Sequence, residues 1–400
     1  MLFPTWISSP ACVCVAAFLS AGAAASRLSA QSDDFNDGND AGWLHYNPLA
    51  PFGAVGTYSF PNGGYRINAP ASPAPEILGP QRIGSLQAGS VYTRIQSSVD
   101  IEGWDNTINQ SLGLIARVRN LGLGTTSGYT YNYNTGSGFH QLNLVVNEAP
   151  SRQINESLFK IDPTQKYRLT FTLAGPHILG QMFSATNSSV PLHSVFAVDD
   201  THDSGTAGVF AFAIAPTGAV DARFDNYSAG VPGKLRASFL DATPAAGQKT
   251  AQPIDYLSAR LASLETKVKP ESIRLEVNGV SAPFEIFDGA PLYVLSHVPS
   301  PALNPDLPHT ARITFSDEDG IQTVAWTFGA PSPAPTVRLM GAPTPTGVFS
   351  VESLASLDSV VRQFSVPRSG ETRFYQIADS TARRITSIQV VSGSVLISFQ

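Results

Sequence analysis

The sequence predicts an all-β chain built from several β-sandwich modules, and three observations carry that reading. Short runs that alternate apolar and polar residues recur along the chain, and no amphipathic helix of useful length interrupts them. Turn residues punctuate these runs: the chain holds 33 glycines and 30 prolines against only 14% charged residues, a balance that suits turns between strands rather than long solvated helices. Its 400 residues exceed one ordinary core, so more than one domain is expected. The net charge of −6 is mild and gives no reason to expect nucleic acid as a partner.

Residues 11–25, ACVCVAAFLSAGAAA, form an apolar run too short to span a bilayer comfortably, with small residues and candidate cleavage points at Ala25 and Ala30. Residues 1–30 therefore read as a secretory signal peptide, although no Lys or Arg precedes the run, and the expected location is extracellular or cell-surface. Both cysteines, Cys12 and Cys14, fall inside this segment, so the mature chain is expected to hold no disulfide and no Cys-ligated metal. No other stretch is apolar enough to cross a membrane, and the sequence carries no signal of oligomeric state.

The first module, 31–230, is a succession of strand patterns. GTYSF-PNGG-YRINA (56–69) signals a hairpin, because Asn62-Gly63 tolerates the positive φ of a primed turn. SLGLIARV places Leu112, Leu114, Ala116 and Val118 on one face, and KYRLTFTL does the same with Tyr167, Leu169, Phe171 and Leu173. VFAFAI groups Phe210, Phe212 and Ile214. A polar, Gly/Pro/Ala-rich connector follows at 231–253. Leu257, Ala259 and Leu261 then open a second module, 254–329, read as strand although the same leucines also fit a heptad. Its pattern is immunoglobulin-like, with a hairpin turning at DEDG (317–320). A Pro-rich spacer, 330–337, leads to a small β module, 338–400, that is expected to lean on its neighbour.

DDFNDGNDAGW (33–43) and DARFDNYSAG (221–230) mirror one another: Phe35 with Asn36-Asp37, and Phe224 with Asp225-Asn226. First and last strands of a closed sandwich commonly pair, which would bring Phe35, Trp43, Phe224 and Tyr227 into one core. With GLIARV, YRLTFTLAG and SGTAGVFAF between them in order, these segments resemble the concanavalin A-like (laminin-G/lectin-like) jelly-roll modules of secreted bacterial proteins, over about half the chain. The resemblance implies a jelly-roll β-sandwich followed by immunoglobulin-like and small β appendages. In many relatives it implies glycan recognition or a non-catalytic appendage role. It transfers no catalytic residue.

Four candidate sites stand out. The opening stretch supplies carboxylates of Asp33, Asp34 and Asp37, joined by Asp225 if the end strands pair, as hard oxygens for a structural Ca²⁺; no other cofactor is expected. Against this, the run lacks the EF-hand alternation, and Asp and Asn are ordinary turn formers. Asp100-x-Glu102-x-x-Asp105 has the spacing of the carboxylate strand of jelly-roll glycosidases with the acids exchanged, although Gly103-Trp104 tends to break a strand there. Tyr129, Tyr131 and Tyr133 alternate on one face and offer either a stacking platform for sugar rings, with Asn134 and His140 as polar fingers, or a half-buried core. Arg94, Arg117 and Arg119 line either a groove for an acidic polysaccharide or solvated strand edges. The favoured reading is a secreted or surface-attached, non-catalytic carbohydrate-binding protein with a polysaccharide or glycan as partner. A glycoside hydrolase or polysaccharide lyase on the same fold is the alternative, and a structural cell-surface protein without a small ligand is the third.

Overall fold

A computed structural model describes residues 31–287, 289–329 and, within the last module, 338–352, 354–358, 363–368, 372–378, 384–391 and 393–399. The expected signal peptide and the Pro-rich spacer at 330–337 lie outside the described residues. No described helix is long and apolar enough to cross a membrane.

The first module is a two-layer jelly roll. Its strands are β1 (Gln31–Asp33), β2 (Trp43–Tyr46), β3 (Thr57–Ser59), β4 (Tyr65–Ala69), β5 (Arg82–Gln87), β6 (Ile95–Ile101), β7 (Gln110–Arg119) and β8 (Ser127–Asn134). They continue as β9 (Phe139–Val146), β10 (Ala149–Leu158), β11 (Tyr167–Ala174), β12 (His177–Ser184), β13 (His193–Val198), β14 (Thr206–Ala213) and β15 (Val220–Gly230). One sheet runs β13-β12-β11-β6-β15-β4-β3, with β1 also on β15; the other runs β10-β9-β8-β7-β14-β5-β2. The module's two acidic ends are neighbours: Asp33 lies opposite Tyr227 in the β1–β15 register. Phe35, Phe224 and Tyr227 are buried in one core against Trp43, as the mirrored motifs imply. Each such ring contributes about 1.5–3 kcal/mol on burial. The β3–β4 hairpin also forms as expected, with Asn62 and Gly63 at φ 56° and 80°.

Two details of the strands depart from simple alternation. A bulge between Ala116 and Arg119, with Arg117 at φ 51°, shifts the β7 register. Leu112, Leu114 and Ala116 enter the core as expected, but Val118 is turned out to join Leu86, Ile115 and Phe210 in a separate cluster. Gly180 on β12 lies so close to the Tyr131 ring that an added Cβ would stand 2.4 Å from it, which is why glycine occupies that position.

The second module comprises β16 (Ser238–Thr243), β17 (Leu257–Ala262), β18 (Lys269–Val277), β19 (Val280–Ser281), β20 (Glu285–Phe287), β21 (Leu292–His297), β22 (Pro308–Asp317) and β23 (Gly320–Gly329). These form two four-stranded sheets, β16-β17-β21-β20 and β19-β18-β22-β23, around Phe239, Leu261, Phe315, Trp326 and Phe328. The connector read at 231–253 is therefore only partly a connector, because β16 inside it pairs with β17. Leu257–Ala262 is strand, not heptad helix.

The second module is fastened to the first. Leu179 and Phe196 pack on Leu240, Ala262 and Leu264. Arg94 grips Glu265 through two bonds of 2.6 and 2.8 Å. Buried Asp241 pairs with Arg260 and accepts the Ser194 N–H at 2.9 Å. Among the described residues the last module forms a three-stranded and a four-stranded sheet around a cluster of Leu339, Phe364, Val366, Ile377, Ile397 and Phe399.

Candidate functional site

The tyrosine platform is not presented to solvent. Tyr129 and Tyr131 are fully buried and Tyr133 is 2% exposed, because this face of β8 points at the opposite sheet and fills the sandwich. His140 is buried beside them, with its ring nitrogens facing the Tyr131 hydroxyl at 3.3 Å and the Phe159 carbonyl at 3.2 Å. Burial pushes its pKa well below the ordinary imidazole range, so it is neutral. Asn134 is spent on its own turn, accepting the Gly136 and Ser137 N–H groups. None of the five presents an open face to solvent.

The acidic triplet is dispersed in its partners. Asp100 is held by both ends of the Arg168 fork at 2.7 and 2.9 Å and by the Asn226 amide at 2.9 Å. Glu102 pairs with Lys166. Asp105 caps a turn by accepting the Thr107 N–H and hydroxyl, which lowers its pKa. Strand β6 ends at Ile101, and Gly103 at φ 54° carries the chain away, so the carboxylates do not share a strand face. Asp100 and Glu102 are thus ion-paired within the protein and Asp105 is committed to a turn.

The opening carboxylates shape their own turns. Asp33, Asp34 and Asp37 accept the backbone N–H two residues on, from Phe35, Asn36 and Asn39, in Asx turns. The second oxygen of Asp33 accepts the Trp43 indole N–H at 2.7 Å. Asp225 does not complete a cluster with them. It lies opposite Asp100 in the β6–β15 register and accepts the N–H of Asn226. Its pKa is raised by burial and by nearby Glu102 and Asp100. Among the described residues, no three His, Cys, Asp or Glu side chains converge as a metal site.

The three arginines line no groove together. Arg117 is buried, donating to the carbonyls of His202 at 2.9 Å and Thr93 at 2.6 Å. Arg119 pairs with Asp203 at 3.2 Å, and Arg94 holds the second module.

The surface that does combine rings and polar groups is the outer face of the seven-stranded sheet. Val209, Ala211 and Ala213 of β14 enter the core, which turns Phe210 and Phe212 outward. Their rings stack with centroids 5.8 Å apart and planes 12° from parallel. They lie in a groove of roughly 610 Å³ walled by Tyr46, Leu78, Ile115 and Leu123. Thr130, Asn143, Arg82 and Glu148 add polar groups to its lining. Beyond Thr130 and Asn143 runs an amide ladder: Asn143 donates to Asn132 Oδ1 at 2.8 Å, and Asn132 donates to Ser111 and Gln141 at 3.2 Å each. Arg82 and Glu148 form an ion pair at 2.7 Å. An apolar, ring-bearing trough edged by oriented amides and one ion pair suits a ligand with a flat apolar face and polar edges. Alternation in VFAFAI groups the two phenylalanines but does not reveal which side they face. The available signal was that both faces of this strand are apolar, which a strand with one wet face is not.

A larger cleft of roughly 1030 Å³ separates the eight-stranded sheet from the second module, near Tyr167, Thr186, Asn187, Thr310 and Trp326. Its charges are paired within the protein, Lys166 with Glu102, Asp100 with Arg168 and Arg312 with Glu276. The Trp326 indole N–H is spent on the Pro244 carbonyl.

No protein-family model and no curated protein matches this sequence. Among solved structures, a carbohydrate-binding module, CBM66 from Bacillus subtilis, aligns at 17% identity and a TM-score of 0.36 over 48% of this chain and 97% of its own. The lectin UEA-II complexed with galactose aligns at 10% identity and a TM-score of 0.36 over 51% and 99%. A prokaryotic β-1,3-1,4-glucanase (lichenase) derived from a mouse hindgut metagenome aligns at 10% identity and 0.37 over 51% and 100%.

Proposed function

We propose that this chain is an exported carbohydrate-binding protein that holds a saccharide in the groove over Phe210 and Phe212, without cleaving it. The groove floored by the stacked phenylalanine pair carries the reading: Phe210 is buried in its own cluster, Phe212 is half-buried, and the C–H face of a sugar ring is a natural cover for such a ring-bearing trough. The amides beside the pair bond one another across the strands and fix the polar edge of the groove at Thr130 and Asn143. Of the groove's lining residues, Glu148 alone carries a carboxylate, whereas the common hydrolytic mechanisms use two facing ones. Binding is therefore favoured over hydrolysis. Export rests on the apolar leader at 11–25 and on the absence of cysteine from residues 31–400.

The test is retention on a glycan array by the full chain and by Phe212→Ala. Retention that disappears with Phe212→Ala, at an unchanged melting temperature, supports the reading. Retention that survives it, or no retention of any saccharide by the parent chain, overturns it.

A further inference from the structure

The groove over Phe210 and Phe212 has two rims, and both are apolar. One is the single helical turn α1 (Pro75–Leu78), bounded by Pro75 at its start and by Gly79, at φ 74°, just past its end. It holds Ile77 with 85% of its surface open to solvent, next to half-buried Leu78. The other is the loop between β7 and β8, where Leu123 is 39% exposed. Half-buried Phe212 and Val145 lie in the lining with them. The two rims are stapled to each other. Arg82 Nη1 donates to the carbonyls of Leu78 and Pro80, on the first rim, at 2.9 and 3.0 Å. Its Nη2 donates to Glu148 Oε2 at 2.7 Å, and the same oxygen accepts the N–H of Gly124, on the second rim, at 2.7 Å. The ion pair thus fixes how far Ile77 stands from Leu123.

The polar lining has little left for a ligand. The free atoms of the ion pair, Arg82 Nε and Glu148 Oε1, are sealed from solvent. The Thr126 hydroxyl is bonded to both the carbonyl and the N–H of Gly122. Thr130 donates to Asn132 Oδ1 and accepts from the Asn143 amide, which also reaches Asn132. What a ligand meets on both walls is hydrocarbon. A saccharide that offers only hydroxyls there would bury some of them without partners, whereas one carrying an acyl group brings a methyl to the apolar rims.

We infer that the groove selects acetylated saccharides over unsubstituted ones, with the acetyl methyl seated against Ile77 and Leu123 while the sugar ring lies on Phe212, an inference that rests on reading the groove as the glycan site. Its volume of roughly 610 Å³ falls within the range of small-ligand sites, about 300–1,000 Å³. One carbon group held in an apolar pocket is worth about tenfold or more in affinity. Ile77 and Leu123 are the residues that set this preference, and Arg82 and Glu148 are positioning residues that hold the rims in place.

The experiment is titration calorimetry of the full chain with two matched pairs of probes. Chitohexaose is set against cellohexaose, which shares its backbone and carries a hydroxyl where chitohexaose carries an acetamido group. An acetylated xylo-oligosaccharide is set against the same material after saponification. The acetylated member of at least one pair is expected to bind about tenfold or more tightly than its partner. Ile77→Ser and Leu123→Ser are each expected to narrow that ratio at an unchanged melting temperature. Both side chains are exposed, so the two variants keep the fold and check each other. Equal or weaker binding of the acetylated member in both pairs overturns the inference, and so does a ratio that neither rim variant moves. If Phe212→Ala abolishes binding in either case, the groove reading stands without the acetyl preference. Binding insensitive to Phe212→Ala sinks both. No binding of any of these probes overturns the inference, and the glycan array with Phe212→Ala then decides the groove reading separately.

Discussion

Trp43 donates its indole N–H to Asp33 Oδ2 at 2.7 Å, while the other oxygen of the same carboxylate receives the N–H of Phe35. Trp43 in turn packs edge-on against Tyr227, at 4.8 Å between centroids, so this one carboxylate ties the beginning of the jelly roll to its closing strand. Asp33→Ala leaves the indole N–H and a turn N–H without acceptors and is expected to cost about 1–3 kcal/mol, read from the shift of a urea midpoint. Because both Asp33 oxygens are occupied by the Phe35 and Trp43 donors, and no three acidic or histidine side chains converge among the described residues, saturating EDTA is expected to leave that midpoint where it was. A chelator-dependent midpoint would restore the calcium reading.

Gly180 and Tyr131 make a second lock, between the two sheets. A methyl at position 180 would stand 2.4 Å from a ring that has no room to retreat. Gly180→Ala is therefore expected to destabilise by about 1–3 kcal/mol. Tyr131→Phe removes only a hydroxyl with one long contact of 3.3 Å to His140, and is expected to change stability by less than about 1 kcal/mol. The same Tyr131→Phe variant should keep full glycan retention, since that ring lies inside the sandwich; lost retention at unchanged stability would return the tyrosines to the binding site.

The seam between the first two modules predicts a particular acid sensitivity. His193 is buried beside Arg260 and the His140 ring, and desolvation followed by the Arg260 charge lowers its pKa to about 3. His140 is lowered by burial and by the nearness of His193, while Asp241 pulls the other way. The unfolded chain takes up these protons near pH 6.5 and the folded chain does not, so stability is full above 6.5 and drains as pH falls toward 3. His193 contributes up to about 1.4 kcal/mol per pH unit in that window, and His140 acts in the same direction. Melting curves at pH 7, 5 and 4 test this: His193→Gln should be less steep than the parent, and parallel curves would contradict the assignment.

Much of this architecture was legible in the amino acids because jelly-roll ends share a core. Phe35, Phe224 and Tyr227 announce a common interior, and the β1–β15 register delivers it. What period two cannot reveal is which face is inside. Tyr129, Tyr131 and Tyr133 alternate with Thr and Asn, so the rings took the core and the amides took the outside. Phe210 and Phe212 alternate with Val209, Ala211 and Ala213, and there the small residues took the core and the rings were displaced outward. The Arg117 bulge reverses sidedness within one strand, so Val118 left the face that Ala116 occupies. Glu148 was invisible for a different reason. Its ion pair is with Arg82, 66 positions away, and its turn geometry is one that glutamate rarely adopts.

The central claim is that a saccharide lies on the outer face of the seven-stranded sheet, and amide and aromatic chemical-shift mapping of the full chain, titrated with a neutral oligosaccharide it retains, tests that most directly. The account predicts the largest shifts at Phe210, Phe212, Thr130, Asn143 and Gly124, with the buried Tyr129, Tyr131 and Tyr133 nearly still. Shifts centred instead on Tyr167, Thr186 and Thr310, in the cleft against the second module, would contradict it.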